Sequence, residues 1–320
     1  MFGIKELKGN IQITQTTVEC PIKGCSCRVE RQRKRFRRDE RFKCPLHHIY
    51  ISPSTFEYPS ELDNLLWKEP DDIELFEKTK VVKRESRVFR DNSEDALSWN
   101  VFRFLERNHL LAEFLRTLVP KTQNSPEVIY WSYSQTEQNS WSELNKARLE
   151  FGEAIERGSE PDIIIKTESS LFFIEAKLTA QNQTVPSDRS DSKEYVSGGD
   201  NWFSKVFKCD YKTIAIDERK YELMRLWLLG TWIAQRNNLD FYLVNLVLSH
   251  RERNIKTIFG KYIIENNRRR FVRTTWEDIQ RLILGSDYMV SGKEEILEYF
   301  RNKTVGYDRN GRLLRAFSVS

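Results

Sequence analysis

Long apolar runs are missing from this 320-residue chain: the best stretch, around Leu223 to Ile233, is interrupted by Arg225 and falls short of the roughly 18 residues a membrane span needs. An integral membrane protein is thereby excluded. The N-terminus, MFGIKELKGN, lacks an apolar core followed by small residues, so no secretory signal is read and the cytoplasm is the expected compartment. Cysteine is scarce, with five residues, and in that compartment they are expected as reduced thiols or metal ligands. Internal repeats and low-complexity tracts are lacking too, so the chain reads as a succession of unique elements. A composition 31% charged and 39% hydrophobic rules out disorder throughout and suffices for one large domain plus a small one.

What is present is unevenly spread. Residues 28 to 43 hold nine Lys/Arg against three acids, a net +6, which leaves the rest of the chain at −1 out of the total of +5. Attraction to a polyanion is therefore concentrated near the N-terminus, and nucleic acid is the first partner to consider. Arg31, Arg33, Lys34, Arg35, Arg37 and Arg38 are the candidate nucleic-acid contacts, interleaved with the aromatic Phe36 and followed by Phe42.

That basic run lies between two short-spaced sets of soft donors, Cys20-x4-Cys25-x-Cys27 and Cys44-Pro-Leu-His47-His48. Two close pairs separated by a loop form the layout of a zinc knuckle or ribbon, because each pair grips the same ion. Cys20, Cys25, Cys44 and His47 are the chosen ligands of a structural Zn²⁺, with Cys27 as first substitute and His48 as a spare. A segment so poor in aliphatic residues needs such a staple to fold. Cys209 has no metal partner nearby and is expected to pack; His109 and His250 are isolated.

The expected partition is a zinc-binding basic module at 1–65, a linker at 66–91, and a larger domain at 92–320 with a C-terminal helical accessory near Trp276 to Leu284 and Lys293 to Asn302. From Asn92 apolar side chains recur at helical spacing through Leu118, with Asn92 or Ser93 as N-cap and Pro120 as the stop. VIYWSYS (Val128 to Ser134), Asp162 to Lys166 and Leu171 to Leu178 read as strands. A polar loop, Thr179 to Asn201, leads to a helix at Arg219 to Gln235 and a strand at Phe241 to Ser249 apolar enough to be buried on both faces. The order α-β-β-β-α-β implies a mixed central sheet flanked by helices.

The chemistry is expected in the hairpin. If the turn is centred between Glu168 and Ser169, Asp162 lies opposite Glu175 and Glu160 opposite Lys177, and Asp162, Glu175 and Lys177 share one face. Opposed carboxylates on an apolar strand pair repel unless a cation or proton neutralises them. Mg²⁺, or Mn²⁺, resolves this, with the Ala176 carbonyl as a further ligand and Lys177 beside a bound water or phosphate. An acid-x-Lys triplet alone carries no signal, since it occurs five times here. Only Glu175 to Lys177 follows an apolar strand and has a Pro-Asp opening the preceding one.

Pro161-Asp162 with Glu175-Ala176-Lys177 resembles the signature of the PD-(D/E)xK phosphodiesterase superfamily, and the element order over residues 92 to 250 is similar to its restriction-endonuclease-like core. The resemblance implies Mg²⁺-dependent hydrolysis of a nucleic-acid backbone, with Asp162 and Glu175 as metal ligands and Lys177 beside the attacking water. It also implies a Glu from the first helix. Glu94 matches that position, with Asp95 as competitor; Glu94 is preferred because it shares a helical stripe with Leu97, Val101 and Leu105. The leading expectation is thus a DNA endonuclease of restriction or defence type, with DNA preferred over RNA as partner, no membrane partner, and homodimer formation left open. The alternatives are an inactive nucleic-acid-binding protein on a nuclease fold, and a zinc-dependent interaction module joined to an unrelated α/β domain.

Overall fold

The computed structural model describes residues 6–33, 35–83, 87–120, 126–187, 193–286 and 290–317. The chain forms two compact units, one of Met1–Ile73, Ser86–Phe104 and Gln280–Ser320, the other of Glu74–Glu85 and Leu105–Ile279. Among the described residues no helix is long and apolar enough to cross a membrane.

The second unit is built on a seven-stranded sheet. Its strands run across the sheet in the order Arg269–Thr275, Asp240–Val247, Ser170–Ala176, Ile163–Lys166, Glu127–Tyr130, Tyr133–Ser134, Asn139–Ser140. The first three are mutually parallel and the remaining pairings antiparallel, which makes the sheet mixed as expected. Ser170–Ala176 is central and every one of its seven residues is buried, so a polar side chain on it enters an apolar environment. Its hairpin partner is set by the Thr167 hydroxyl, which accepts from the Ser170 N–H at 3.0 Å and closes the turn. Over one face lies the helix Tyr221–Arg236, with Trp227 edge-on to Phe241 at 5.7 Å between centroids. Gly230 permits this close approach, because a methyl group there would overlap the Phe241 ring.

Several elements differ from their sequence reading. VIYWSYS folds back on itself: Trp131 and Ser132 adopt φ of 44° and 73°, and Tyr130 pairs with Tyr133. The helical pattern from Asn92 to Leu118 is two helices, Glu94–Arg107 and Leu111–Leu118, broken where His109 takes φ 56°. Ser93 is the cap, its hydroxyl accepting from the Ala96 N–H at 3.1 Å. Within the stretch read as linker, Pro70–Val82 is helical, with proline in its first position and Asp71 and Asp72 in its first turn. The strand Arg269–Thr275 opens among three consecutive arginines, Arg268 to Arg270, which mask the alternation. The two C-terminal helices lie at Trp276–Gly285 and Lys293–Asn302.

The first unit holds the helix Lys293–Asn302 and most of Glu94–Arg107. Three short antiparallel pairs, Thr17–Glu19 with Arg28–Glu30, Tyr50–Ile51 with Phe56–Glu57, and Thr304–Tyr307 with Leu313–Arg315, carry its backbone pairing. The N-terminal segment joins the last of these, with Ile11 N–H donating to the Gly311 carbonyl at 2.8 Å and Leu313 N–H to Gly9 at 2.9 Å.

Candidate functional site

In the first unit the chain gathers Cys20, Cys25, Cys44 and His47, the four residues expected from spacing. Their donor atoms all lie within 4.8 Å of one another. Two turns do this. Gly24, at φ 81°, lets Ile22 to Cys25 reverse so that the Cys25 N–H donates to the Ile22 carbonyl at 3.1 Å. Beyond the basic run, the His48 N–H donates to the Cys44 carbonyl at 2.8 Å and folds His47 back toward the sulfurs. The Cys25 and Cys44 sulfurs are 3.8 Å apart, and His47 Nδ1 is 3.7 Å from Cys20 Sγ and 3.6 Å from Cys44 Sγ. All three cysteines are buried, and burial pushes the Cys20 thiol up. Three buried sulfurs and an imidazole fit a metal that accepts thiolates. Cys27 lies outside the set of four and contributes its carbonyl, which accepts from the Cys20 N–H at 2.9 Å.

Between these pairs, Arg31, Arg33, Arg35, Arg37, Arg41 and Phe42 line a cavity of about 280 Å³. The expected contacts differ in their commitments. Arg31 and Arg33 each spend one nitrogen on a backbone carbonyl, Thr14 at 2.9 Å and Gln15 at 2.7 Å. Arg38 is engaged: it pairs with Glu57 at 3.1 Å, donates to the Tyr58 carbonyl at 2.8 Å, and lies over the Phe89 ring at 3.9 Å. Lys34 lies outside the described residues.

In the second unit the hairpin has the expected register. Ile163 faces Ile174 and Ile164 faces Phe173, so the pairing points Asp162 at Glu175. Asp162 stands one residue before the strand, and its Oδ2 accepts from the Ala176 N–H at 2.8 Å. Glu160 does not continue the pairing toward Lys177; Pro161 precedes the strand and supplies no N–H, and Glu160 sits 3.5 Å from Lys83.

Glu175 is 2% exposed, and its Oε2 has no hydrogen-bond partner among the described residues. Its Oε1 accepts from the Lys177 ammonium. Burial drives the Glu175 carboxyl well above the usual range, with Glu222 and then Asp162 adding to the effect against the pull of Lys177. For Lys177 burial acts downward, but Glu175, Glu222 and Asp162 outweigh it and hold the ammonium charged. A buried, unpartnered carboxylate oxygen beside a second carboxylate fits a hard divalent cation.

Sequence reasoning missed Glu222, which lies in the first turn of the Tyr221–Arg236 helix and reaches Lys177 at 3.2 Å. Its only sequence signal is an acid at a helix start, which capping explains equally well. The loop after Lys177 is fastened at its near end. Arg251 donates to the Thr179 carbonyl at 2.7 Å, and the Asn182 side chain donates to Asn245 and Glu252, each at 2.8 Å. Arg225, which interrupts the apolar run of the Tyr221–Arg236 helix, pairs with buried Glu153 at 2.8 Å. Glu94 lies in the first unit, half-buried in the first turn of its helix; Asp95 accepts from the Arg87 N–H at 3.0 Å.

No curated protein and no solved structure matches this chain. A family model described as restriction endonuclease associating with ARP does match, over residues 58–303. Since that match takes in well over half of the sequence, the chain belongs to the restriction endonuclease associating with ARP family.

Proposed function

We propose that the protein is a metal-dependent endonuclease of the PD-(D/E)xK type, hydrolysing phosphodiester bonds of DNA, on a restriction-endonuclease-like core. The observation that carries this reading is the juxtaposition of Asp162, buried Glu175 and the Lys177 ammonium on one hairpin, with a Glu175 oxygen left unpartnered. Family membership supports it independently.

Asp162 and Glu175 would hold Mg²⁺ or Mn²⁺, with the Ala176 carbonyl as a further ligand. A divalent ion there supplies Lewis acidity and a water more readily deprotonated than bulk water. The residues of the chain do the rest. The Ala176 N–H fixes one Asp162 oxygen, so the carboxylate is oriented before any ligand arrives. Lys177 is held charged and offers three donor directions, of which a phosphate oxygen or the attacking water can take one. For Glu94 the support is the superfamily resemblance alone, and Glu94→Gln against Asp95→Asn decides between the two acids.

The basic module, with its boundary near residue 65, is proposed to bind the nucleic-acid backbone through Arg31, Arg33, Lys34, Arg35 and Arg37, whereas Arg38, engaged with Glu57, the Tyr58 carbonyl and the Phe89 ring, is left out of that set. Zn²⁺ is the proposed ion of the Cys20, Cys25, Cys44 and His47 cluster. Four protein donors complete a tetrahedral shell, so its role is structural.

The test is cleavage of plasmid and oligonucleotide DNA with Mg²⁺ and with EDTA by wild type, Asp162→Asn and Lys177→Met, all zinc-loaded. Loss of several kcal/mol of transition-state stabilisation makes each variant slower by at least about 100-fold. Equal cleavage by all three overturns the assignment. Salt-sensitive binding without cleavage under Mg²⁺ and Mn²⁺ would establish the inactive-nuclease alternative.

A further inference from the structure

The Lys177 ammonium is shared. It donates to Glu175 Oε1 on one side and lies 3.2 Å from Glu222 Oε2 on the other. The two carboxylates differ in setting: the Glu175 side chain is 3% exposed, that of Glu222 37%. Glu222 is also fixed at its backbone, where its N–H donates to the Thr184 hydroxyl at 2.9 Å and the Tyr221 N–H to the Thr184 carbonyl at 3.2 Å. The helix start is thereby tied to the loop that leaves Lys177.

We propose that Glu222 is a positioning residue, which holds the Lys177 ammonium at the site while freeing Glu175 for a divalent cation. The proposal rests on the metal-site reading given above. With all three ionised, as a bound cation requires, Asp162, Glu175 and Glu222 offer three negative charges against one ammonium, and the two positive charges of a divalent ion balance the difference. An ammonium seated on Glu175 alone competes with the cation for the same oxygen pair. With Glu222 in reach, Lys177 can weaken its hold on Glu175 without leaving for solvent, because an ammonium carries three donors and can keep one on Glu222 throughout. Glu222 thus acts through Lys177 and holds no metal itself.

The experiment is a double-mutant cycle read by calorimetric Mn²⁺ binding to the zinc-loaded, full-length protein, using Glu222→Gln, Lys177→Met and the double variant. Removing an outer partner of a metal site lowers affinity about tenfold, so Glu222→Gln should weaken Mn²⁺ binding by that order in the wild-type background. In the Lys177→Met background it should change affinity less than about twofold, within the usual scatter of independent sites. Glu222→Asp should restore part of the loss. Unchanged binding by Glu222→Gln overturns the proposal. Equal loss in both backgrounds also overturns it, since Glu222 would then be a ligand. Lys177→Gln substitutes if the Met variant fails to fold. Asp162→Asn is the control: if it leaves Mn²⁺ affinity unchanged, the underlying site reading fails, separately from the claim about Glu222.

Discussion

The two candidate cation sites are built on opposite principles. The Cys20, Cys25, Cys44 and His47 cluster brings together soft donors from two turns, in a segment whose strands are two short pairs. Asp162 and Glu175 are hard donors set by the register of a fully buried strand in a seven-stranded sheet, with an ammonium beside them. In the first, the donors hold the chain; in the second, the chain holds the donors. Four closed ligands around a metal stabilise folding, whereas two carboxylates and an unpartnered oxygen leave positions for water and substrate. The second arrangement is costly without its cation, and that cost makes it suited to binding one.

The largest effect expected from this contrast is on folding. Cys44→Ser, or stripping the metal with a strong chelator, should drop bound zinc from one per chain to none and unfold the N-terminal module, because structural zinc contributes on the order of 10 kcal/mol in small modules. Loss of Thr17–Glu19 and Arg28–Glu30 amide protection in hydrogen exchange is the readout. Asp162→Asn should leave that protection intact. Equal zinc content in Cys44→Ser and wild type would break the comparison at its first term.

Next comes pH. The Glu175 carboxyl is raised above its ordinary value of 4.5 by burial, so in the metal-free protein the folded state keeps a proton that the unfolded state releases. Stability should therefore be fully present below about 4.5 and decline as pH rises from there toward the raised value. Each unit of pH across that window costs up to about 1.4 kcal/mol for a single site. Glu175→Gln should flatten the decline, and Mn²⁺ should oppose it, since the ion binds the ionised form. Urea unfolding across pH, in protein loaded with zinc but free of Mn²⁺, measures this. An identical slope in Glu175→Gln would mean that the buried carboxylate does not titrate as its surroundings dictate.

The two sites were also legible to different degrees, for the same physical reason. Donor spacing along the chain named all four soft ligands, because a metal cluster forms from local turns and few other residues can take a thiolate's place. The hairpin register was readable because the turn and period-two alternation fix which residues face each other. Glu222 was not, since its meeting with Lys177 depends on how a helix 45 residues onward packs on the sheet, and no local pattern encodes that. The Arg269–Thr275 strand was hidden by its own chemistry: an edge strand with one partner carries arginines that periodicity counts as solvent-facing. VIYWSYS reads as one strand because its residues favour extended backbone, and the reversal at Trp131 and Ser132 uses left-handed conformations that neither residue type advertises.

The smallest expected effect separates two arginines only three residues apart in the sequence. Arg35 makes no side-chain hydrogen bond among the described residues, and it lines a cavity with Arg31, Arg33, Arg37 and Arg41. Arg38 spends its guanidinium on Glu57, the Tyr58 carbonyl and the Phe89 ring. If the basic module binds backbone phosphate, Arg35→Ala should weaken DNA binding evenly across sequences and reduce the log-log salt slope by about 1. Melting temperature should hold. Arg38→Ala should do the reverse: lower the melting temperature by a few degrees through loss of packing and a part-buried ion pair, with the salt slope unchanged. Fluorescence anisotropy with a labelled duplex at several salt concentrations, paired with thermal melts, reads both quantities. Should Arg38→Ala change the slope as much as Arg35→Ala, the guanidinium must leave Glu57 to meet phosphate, and the module rearranges on binding.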